Sequence, residues 1–233
     1  MKFKKRVKAI INAIKIANKK KIFCIGQNKT GTTSIKQAFK EMGYVVGVQR
    51  QAEELMPEYL DNDYKRIIRY CKTAQVFQDF PFSFPDTYKI MDKAYPGSRF
   101  ILSVRDTPDQ WYNSYVRFYT RLAYVKSGLD KEKESIVSAL KSATYISKGW
   151  LWEFHKKRFD VSEADPFPKE QMMREYEKYN EEVIEYFKDR KDDLLVLNVS
   201  AKKDFSRFLR FLGTKSNLTD FPWEKKAENL TPS

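Results

Sequence analysis

Hydrophobic and polar positions follow two different periods along the chain. Short apolar runs, of the kind that form buried strands, occur at residues 22–25, 44–48, 74–77, 99–104 and 194–199. Between them lie longer segments in which apolar residues recur every three or four positions, which is the spacing of an amphipathic helix. This alternation predicts an α/β fold, with a central parallel sheet of about five strands and helices on both of its faces.

The first strand is followed by a loop of small and polar residues and then by a helix. Ile35, Ala38, Phe39 and Met42 are spaced i, i+3, i+4, i+7, which places them on one helix face, and Gly43 stands where a helix commonly ends. Strand, glycine-bearing loop and helix form the layout of a phosphate cradle. In such a cradle, backbone N–H groups and the positive end of the helix dipole converge on one anion.

The loop fits the frame of a nucleotide-binding P-loop with one departure. Gly26-x4-Gly31-Thr32-Thr33 matches GxxxxGK(S/T), except that Thr32 occupies the lysine position and Lys29 lies inside the loop. The usual lysine reaches the β- and γ-phosphates beside a Mg²⁺ ion, so its relocation predicts a different anion held without that arrangement. A tight turn without a ligand explains the glycines, but it does not explain the block Lys-Thr-Gly-Thr-Thr-Ser.

Charged residues follow two of the later strands. Asp79 comes just after the third apolar run, where a strand end points into the ligand crevice of such a sheet. Asp79 has three interpretations: it binds Mg²⁺, it is a general base for an acceptor hydroxyl, or it caps the turn before Pro81. Arg105 ends the fourth run and suits bidentate capture of a phosphate, with an ion pair to Asp106 or Asp109 as the alternative.

The helix after Arg105 separates a core side from a side that is free to meet a ligand. Pro108 is typical of a helix start. The predicted core stripe comprises Trp111, Tyr115, Phe118 and Leu122. Ser114 lies off this stripe, so we expect it to be available to a ligand.

Two segments together resemble the sulfotransferases that use 3′-phosphoadenosine 5′-phosphosulfate (PAPS). Lys21–Gly43 resembles the 5′-phosphosulfate loop of that family, and Ala94–Phe118 resembles its 3′-phosphate-binding strand and helix. The resemblance continues to about Asn229. It implies a P-loop-type three-layer α/β/α fold, PAPS as the donor, adenosine 3′,5′-bisphosphate as the product, and no metal.

The resemblance also implies roles for individual residues. Those that would contact the donor are Gln27, Asn28, Lys29, Thr30, Gly31, Thr32, Thr33, Ser34, Arg105 and Ser114, with Lys225 and Lys226 in a closing loop near the C-terminus. A plain disordered tail is the alternative for that last pair. Arg105 and Ser114 are nine positions apart here, whereas the family spacing is usually eight. We interpret Thr107, just before Pro108, as one residue inserted in the turn. Asn113 is therefore an alternative to Ser114.

Residues 127–166 predict a helical insertion, which in a sheet enzyme commonly covers the active site and selects the acceptor. The only histidine of the chain, His155, lies in this insertion among aromatic residues. Some sulfotransferases use a histidine as the base, so His155 is the rival of Asp79 for that role. Lone histidines are also commonly structural, which favours Asp79.

The length, net charge and residue types of the chain limit which ligands we expect it to bind. The 233 residues suit a single domain over 21–233, and the net charge of +13 calls for an anionic partner. Motifs that read nucleic acid are absent from the sequence, so we expect a nucleotide donor and no nucleic acid. Cys24 and Cys71 are predicted to be reduced packing residues, and with one histidine a zinc site is not expected.

Residues 1–20 are predicted to form a basic amphipathic helix. Its apolar stripe comprises Val7, Ile10, Ile11 and Ile14. This helix either lies on an anionic membrane surface or packs on the domain with its basic face in water. It is too short and polar to span a bilayer and lacks a cleavage site, which predicts a cytoplasmic protein, at the membrane face or away from it.

Three hypotheses of function follow. The first is transfer of a sulfuryl group from PAPS to a hydroxyl of a glycan, glycolipid or small molecule. The second is a Mg²⁺-dependent P-loop kinase that acts on a nucleotide or small molecule, although Thr32 in the lysine position argues against it. The third is a catalytically inert basic binding protein, which predicts no preference for adenosine 3′,5′-bisphosphate over 5′-AMP.

Overall fold

A computed structural model describes residues 11, 12 and 14–222, and these form two compact units. Unit 1 contains the described residues up to Val104 and from Glu182 onward, and unit 2 contains Arg105–Glu181. The expectation of one domain over 21–233 stays a prediction.

The elements of the described residues alternate between strand and helix as predicted. The strands are β1 (Ile22–Cys24), β2 (Val76–Gln78), β3 (Arg99–Ser103) and β4 (Leu194–Leu197). The helices are α1 (Thr32–Glu41), α2 (Gln49–Glu53), α3 (Met56–Leu60), α4 (Lys65–Tyr70), α5 (Thr87–Ala94), α6 (Pro108–Ser127), α7 (Ile136–Ser142), α8 (Trp150–Phe159), α9 (Lys169–Tyr186) and α10 (Lys202–Leu212). Residues 127–166, for which the sequence predicts a helical insertion, contain α7 and α8.

The sheet belongs to unit 1 and is parallel throughout, in the order β2-β1-β3-β4. The chain passes from β1 to β2 on one side and then to β3 on the other side. The strand order therefore reverses at β1, and the crevice that such a reversal opens lies at the carboxyl ends of the strands. The loop that follows β1 begins at this crevice.

The α/β fold is confirmed, but the number of strands is corrected from about five to four in the described part of the chain. The predicted second strand at 44–48 forms only an isolated parallel bridge between Val46 and Val76. The Val76 N–H donates to the Val45 carbonyl and the Gly47 N–H donates to the Val76 carbonyl, and these two bonds make up the bridge. At its other end the segment leads directly into α2, which begins at Gln49.

Alternate residues of β1 supply the two halves of the unit 1 core. Phe23 packs on one face against Phe77, Phe82 and Phe100, with each pair of ring centroids 5.6 Å apart. Ile22 and Cys24 belong to the cluster on the other face, to which α1 and α10 contribute apolar side chains. The period of two along the strand therefore gives each helix layer its own core. Cys24 and Cys71 are free and buried, as predicted.

Unit 2 is organised around α6, whose buried face differs from the predicted one. The buried residues of this helix are Trp111, Tyr115, Tyr119 and Ala123. Phe118 and Leu122, assigned to the core from the sequence, are only half-buried. The core stripe therefore repeats every four residues. The sequence has aromatic residues both seven and eight positions after Trp111, namely Phe118 and Tyr119, so it is compatible with either stripe. The Tyr119 ring packs against Phe154 and His155, with centroids 5.9 and 4.7 Å away, which places Tyr119 rather than Phe118 in the core.

The predicted N-terminal helix lies partly outside the described residues, which exclude 1–10 and 13. Residues 11, 12 and 14–16 are helical; Ile11 and Ile14 are exposed and Ile16 is buried. Among the described helices, none combines the length and the apolar character that crossing a bilayer requires.

Candidate active site

Two glycines hold the loop between β1 and α1 close to its neighbours. A Cβ added at Gly26 would lie 2.1 Å from the Ser103 Oγ and 2.5 Å from the Ser103 carbonyl oxygen. Gly31 has a φ of +97°, and a Cβ there would lie 2.3 Å from a methyl group of Val199. Both positions therefore require glycine, one for close approach and the other also for its left-handed backbone. These are the two glycines of the P-loop frame.

Thr30 braces the loop against β3. Its hydroxyl donates to the Gln27 carbonyl at 2.6 Å and lies 2.6 Å from the hydroxyl of Ser103. The Thr30 N–H also points to the Gln27 carbonyl, at 3.3 Å. Because Thr30 is fully buried, its polar groups serve the shape of the loop. The N–H donors that remain for an anion belong to the residues that follow it.

The N-terminus of α1 presents those donors. Gly31 is the N-cap residue, no side chain caps the helix, and its first turn contains no acidic residue. Thr32 and Ser34 are buried and Thr33 is half-buried. The first N–H groups of a helix have no partner within the helix, and together with the dipole they form an anion site. Lys29 precedes this turn with a φ of +71°, an uncommon conformation for a lysine.

Asp79 leaves β2 in a left-handed conformation and is tied to the loop. Its φ is +64°, and its Oδ1 accepts a hydrogen bond from the Asn28 side chain and another from the Phe80 N–H at 3.1 Å. Burial raises the pKa of the Asp79 carboxyl. The Phe80 N–H, the charges of Lys36 and Lys29, and the Asn28 amide act in the opposite direction. A carboxylate and two lysines are thus grouped at the carboxyl edge of the sheet.

Sequence reasoning missed Lys36 and two glutamines in this region. Lys36 stands one turn after Thr32 and Thr33 on α1, and this i, i+4 spacing is the signal that could have found it. Gln78 donates to Gln49 at 3.0 Å, and Gln49 donates to the carbonyl of Phe80 at 3.3 Å. This chain of bonds holds the backbone on both sides of Asp79. The sequence carried no comparable signal for the glutamines.

Two buried amide atoms at the strand ends have no hydrogen-bond partner within the described part of the chain. They are Nε2 of Gln27, in the loop, and Oε1 of Gln78, at the end of β2. Both side chains are about 95% buried. An unsatisfied buried amide group costs about 1–3 kcal/mol, so such groups commonly meet a ligand or water. The donor atom of Gln27 fits an anionic or phosphoryl oxygen at the loop.

Arg105 and Ser114 belong to unit 2. Arg105 begins directly after the end of β3 and Val104, and its N–H donates to the Tyr176 hydroxyl at 3.0 Å. Its side chain is half-buried, and this burial lowers the pKa of the guanidinium, while Tyr176 and Asp106 raise it. Asp109, one of the two alternative partners for Arg105, pairs with Lys169 at 2.5 Å.

The helix cap explains the longer spacing between Arg105 and Ser114. Thr107 is the N-cap of α6, and its hydroxyl accepts from the Gln110 N–H at 3.1 Å. The position that lengthens the turn therefore has a structural use. Asn113 donates to Asp109 at 2.8 Å and is exposed, whereas Ser114 is half-buried. This difference favours Ser114 over Asn113 for a ligand.

His155 lies in the aromatic core of unit 2. It is fully buried, its Nδ1 donates to the Leu151 carbonyl at 2.6 Å, and its Nε2 lies 3.3 Å from the Tyr115 hydroxyl. Burial lowers the pKa of the imidazole to about 4, against the opposing effect of the Leu151 carbonyl. Aromatic rings of Tyr119, Phe154 and Phe167 also contact it edge-on. These are the surroundings of a packing residue.

The remaining assignments concern metals and the C-terminal loop. Within the described residues, no group of three or more His, Cys, Asp or Glu side chains could hold a metal ion. Lys225 and Lys226 lie outside the described residues, so their role at the donor stays a prediction.

Comparison with known proteins places the chain in a family. A family model described as a sulfotransferase domain matches residues 21–230, which includes β1–β4 and α1–α10. A search of curated proteins found no match.

Proposed function

The chain belongs to the sulfotransferase family, and we propose that it transfers a sulfuryl group from PAPS to a hydroxyl of a glycan, glycolipid or small molecule. The product of the donor is adenosine 3′,5′-bisphosphate. The observation that supports this most is the grouping of a glycine-shaped loop, Lys29 and the half-buried carboxylate of Asp79 at one edge of the sheet.

The residues of the loop fit the 5′ end of the donor. The glycines leave room where a Cβ would meet Ser103 or Val199, the first turn of α1 supplies N–H groups, and Gln27 offers an unpaired donor atom. These are all donor or cationic groups, as a phosphosulfate requires. We assign the 3′-phosphate to Arg105 and Ser114, because a half-buried guanidinium binds phosphate in bidentate fashion.

We assign the general base to Asp79. A carboxylate whose pKa is raised by burial is a stronger base. The Phe80 N–H, the charges of Lys36 and Lys29, and the Asn28 amide oppose this rise. When bound, PAPS supplies the sulfuryl group and a phosphate leaving group. Lys29 and the amides of the first turn of α1 then stabilise negative charge that develops at the loop.

His155 is the weaker candidate for the base. Both of its ring nitrogens face protein groups, Leu151 and Tyr115, and it is fully buried within unit 2. A base must reach the proton it accepts, directly or through one water. The rival kinase hypothesis lacks a lysine at the usual P-loop position, where buried Thr32 stands.

An assay of donor turnover tests the proposal. The purified chain is incubated with PAPS and a panel of hydroxyl acceptors, and the release of adenosine 3′,5′-bisphosphate is followed with and without EDTA. We expect acceptor-dependent release that EDTA does not abolish. Metal-dependent turnover of ATP would instead support the kinase, and the absence of turnover with weak bisphosphate binding would support the inert binding protein.

Location and membrane contact stay predictions. The exposed Ile11 and Ile14 suit an apolar face laid on an anionic membrane surface, and Lys15, Lys19 and Lys20 supply positive charge beside them. We keep a cytoplasmic location, at the membrane face or away from it, as the proposal for this protein.

A further inference from the structure

Unit 2 carries a groove along the outer side of α6, and neither Arg105 nor Ser114 lines it. Its volume is about 810 Å³, within the range of pockets that hold small ligands. The groove follows the helix from Tyr112 to Val125, a length of about 20 Å at 1.5 Å per residue. The helix uses its opposite face for the core of the unit, so the groove is not part of that core.

The charge of the groove is positive. Among the described residues that line it, Arg117, Arg121 and Lys131 are cationic and none is acidic. Arg117 is exposed, and it stands one turn from Arg121 on the same side of the helix. Lys131 is 3.7 Å from Glu132, but both side chains are more than 70% exposed, and such surface pairs are weak. The groove therefore favours an anionic ligand.

Two tyrosines fix the ends of the groove. The Tyr112 hydroxyl donates to the Phe167 carbonyl and the Tyr124 hydroxyl donates to the Glu134 carbonyl, each at 2.8 Å. Because their hydroxyls are used, the two rings are held in place and present apolar surface to the groove. Thr120 and Asn113 add polar groups between them.

These features distinguish the classes of anionic ligand. The two tyrosines are about 18 Å apart along the helix, too far to stack neighbouring bases of a single strand. The backbone groups of α6 bond within the helix, so an extended peptide would find few main-chain partners. A concave surface also keeps the floor of the groove away from a flat bilayer. Scattered cations, hydroxyls and fixed aromatic rings suit a sugar chain that carries carboxylate or sulfate groups.

We propose that this groove binds an acidic oligosaccharide, with its anionic groups on Arg117, Arg121 and Lys131. The choice of a carbohydrate rests on the proposed function, in which a glycan is one class of acceptor. The binding itself requires neither the donor nor turnover.

Calorimetric titration at about 0.15 M salt tests the inference. The probes are a heparin-derived hexasaccharide and neutral maltohexaose, titrated into the full chain without donor. We expect the acidic probe to bind at least tenfold more tightly than the neutral one. Arg117→Ala with Arg121→Ala should weaken its binding by at least tenfold, a loss of about 1.4 kcal/mol, because two of the three cations that line the groove are removed. Lys156→Ala with Lys157→Ala, which removes two exposed charges elsewhere in unit 2, should retain it.

Three results would overturn the inference. The first is that the heparin-derived hexasaccharide does not bind, and the second is that the two double variants bind it equally well. The third is that a hexaglutamate peptide or a thymidine hexanucleotide binds the wild-type chain as tightly as the hexasaccharide does. Melting temperatures of all variants show whether a loss reflects unfolding. Titration of the wild-type chain with adenosine 3′,5′-bisphosphate is a separate readout. If the bisphosphate fails to bind while the acidic hexasaccharide binds, the proposed function fails and the groove stands.

Discussion

Asn28 and Asp79, which are 51 positions apart, are joined by a hydrogen bond in which the Asn28 amide donates to the Asp79 carboxylate. The bond connects the loop after β1 to the turn after β2. It also acts on the charge of the carboxyl, because a donor to the ionised form lowers its pKa against the effect of burial. The shape of the loop and the proton affinity of the assigned base are therefore linked.

Removal of the Asn28 amide should shift the pH dependence of turnover. In Asn28→Ala the Asp79 carboxylate loses a donor, so its pKa rises further and the acidic limb of the kcat profile moves to higher pH. Lys36→Met should move the limb in the same direction, because it removes a positive charge. Gln37→Ala changes the neighbouring uncharged side chain of α1, which bonds to Glu41, and should leave the profile in place. An unmoved limb in both variants would argue against Asp79 as the base.

Lys29→Ala should lower kcat by about 100-fold or more. A group that stabilises developing charge commonly contributes about 3 kcal/mol to the transition state. The control is Lys40→Ala, which removes an exposed charge from the far end of α1. Steady-state kinetics with PAPS as the varied substrate measure both. If Lys29→Ala turned over at the wild-type rate, its catalytic role would be wrong.

Gly31 and Gly43 form a matched pair of glycines with positive φ, at +97° and +80°. A Cβ at Gly43 meets nothing within 4 Å, so Gly43→Ala should cost only the backbone strain, about 1–2 kcal/mol of unfolding free energy, and retain activity. Gly31→Ala adds a clash with Val199 and should abolish donor binding. Gly31→Ala with Val199→Ala should recover part of it. Denaturant unfolding and bisphosphate titration measure the two effects, and equal behaviour of the two single variants would contradict this view of the loop.

His155 should affect stability rather than the pH profile of turnover. Its folded pKa of about 4 lies below the ordinary value of 6.5, so between these values the unfolded chain binds a proton that the folded chain does not. The contribution of His155 is fully present above pH 6.5 and is lost as the pH falls toward 4, by up to about 3 kcal/mol. In His155→Gln the free energy of unfolding should fall less steeply over this range. A shift of the kcat profile in His155→Gln would instead revive His155 as the base.

The sequence predicts the scaffold of the site well, because its signals are local. The loop glycines, the helix after them and Arg105 at a strand end all follow from spacing along a few residues. The predicted second strand, 44–48, was wrong because this apolar run resembles a strand in its side chains but makes only one bridge, at Val46. A pattern of side chains does not show whether the backbone has a partner along its whole length.

Long-range contacts account for what the sequence could not supply. The bond between Asn28 and Asp79, the position of Lys36 and the brace from Thr30 to Ser103 join residues from different elements. On α6, apolar residues seven and eight positions after Trp111 permit two core stripes. Packing of Tyr119 against Phe154 and His155, from a separate helix, selects the one that contains Tyr119. The aromatic cage of His155 likewise depends on residues brought together from separate helices.

The central claim is that the chain recognises a ribose nucleotide phosphorylated at both its 3′ and 5′ positions. Calorimetric titration of the wild-type chain with adenosine 3′,5′-bisphosphate and with 5′-AMP, in the presence of EDTA, tests it most directly. The account predicts that the bisphosphate binds at least tenfold more tightly, since the 3′-phosphate meets the Arg105 guanidinium, and that Arg105→Ala removes the difference. Equal affinity of the wild-type chain for the two nucleotides would contradict it.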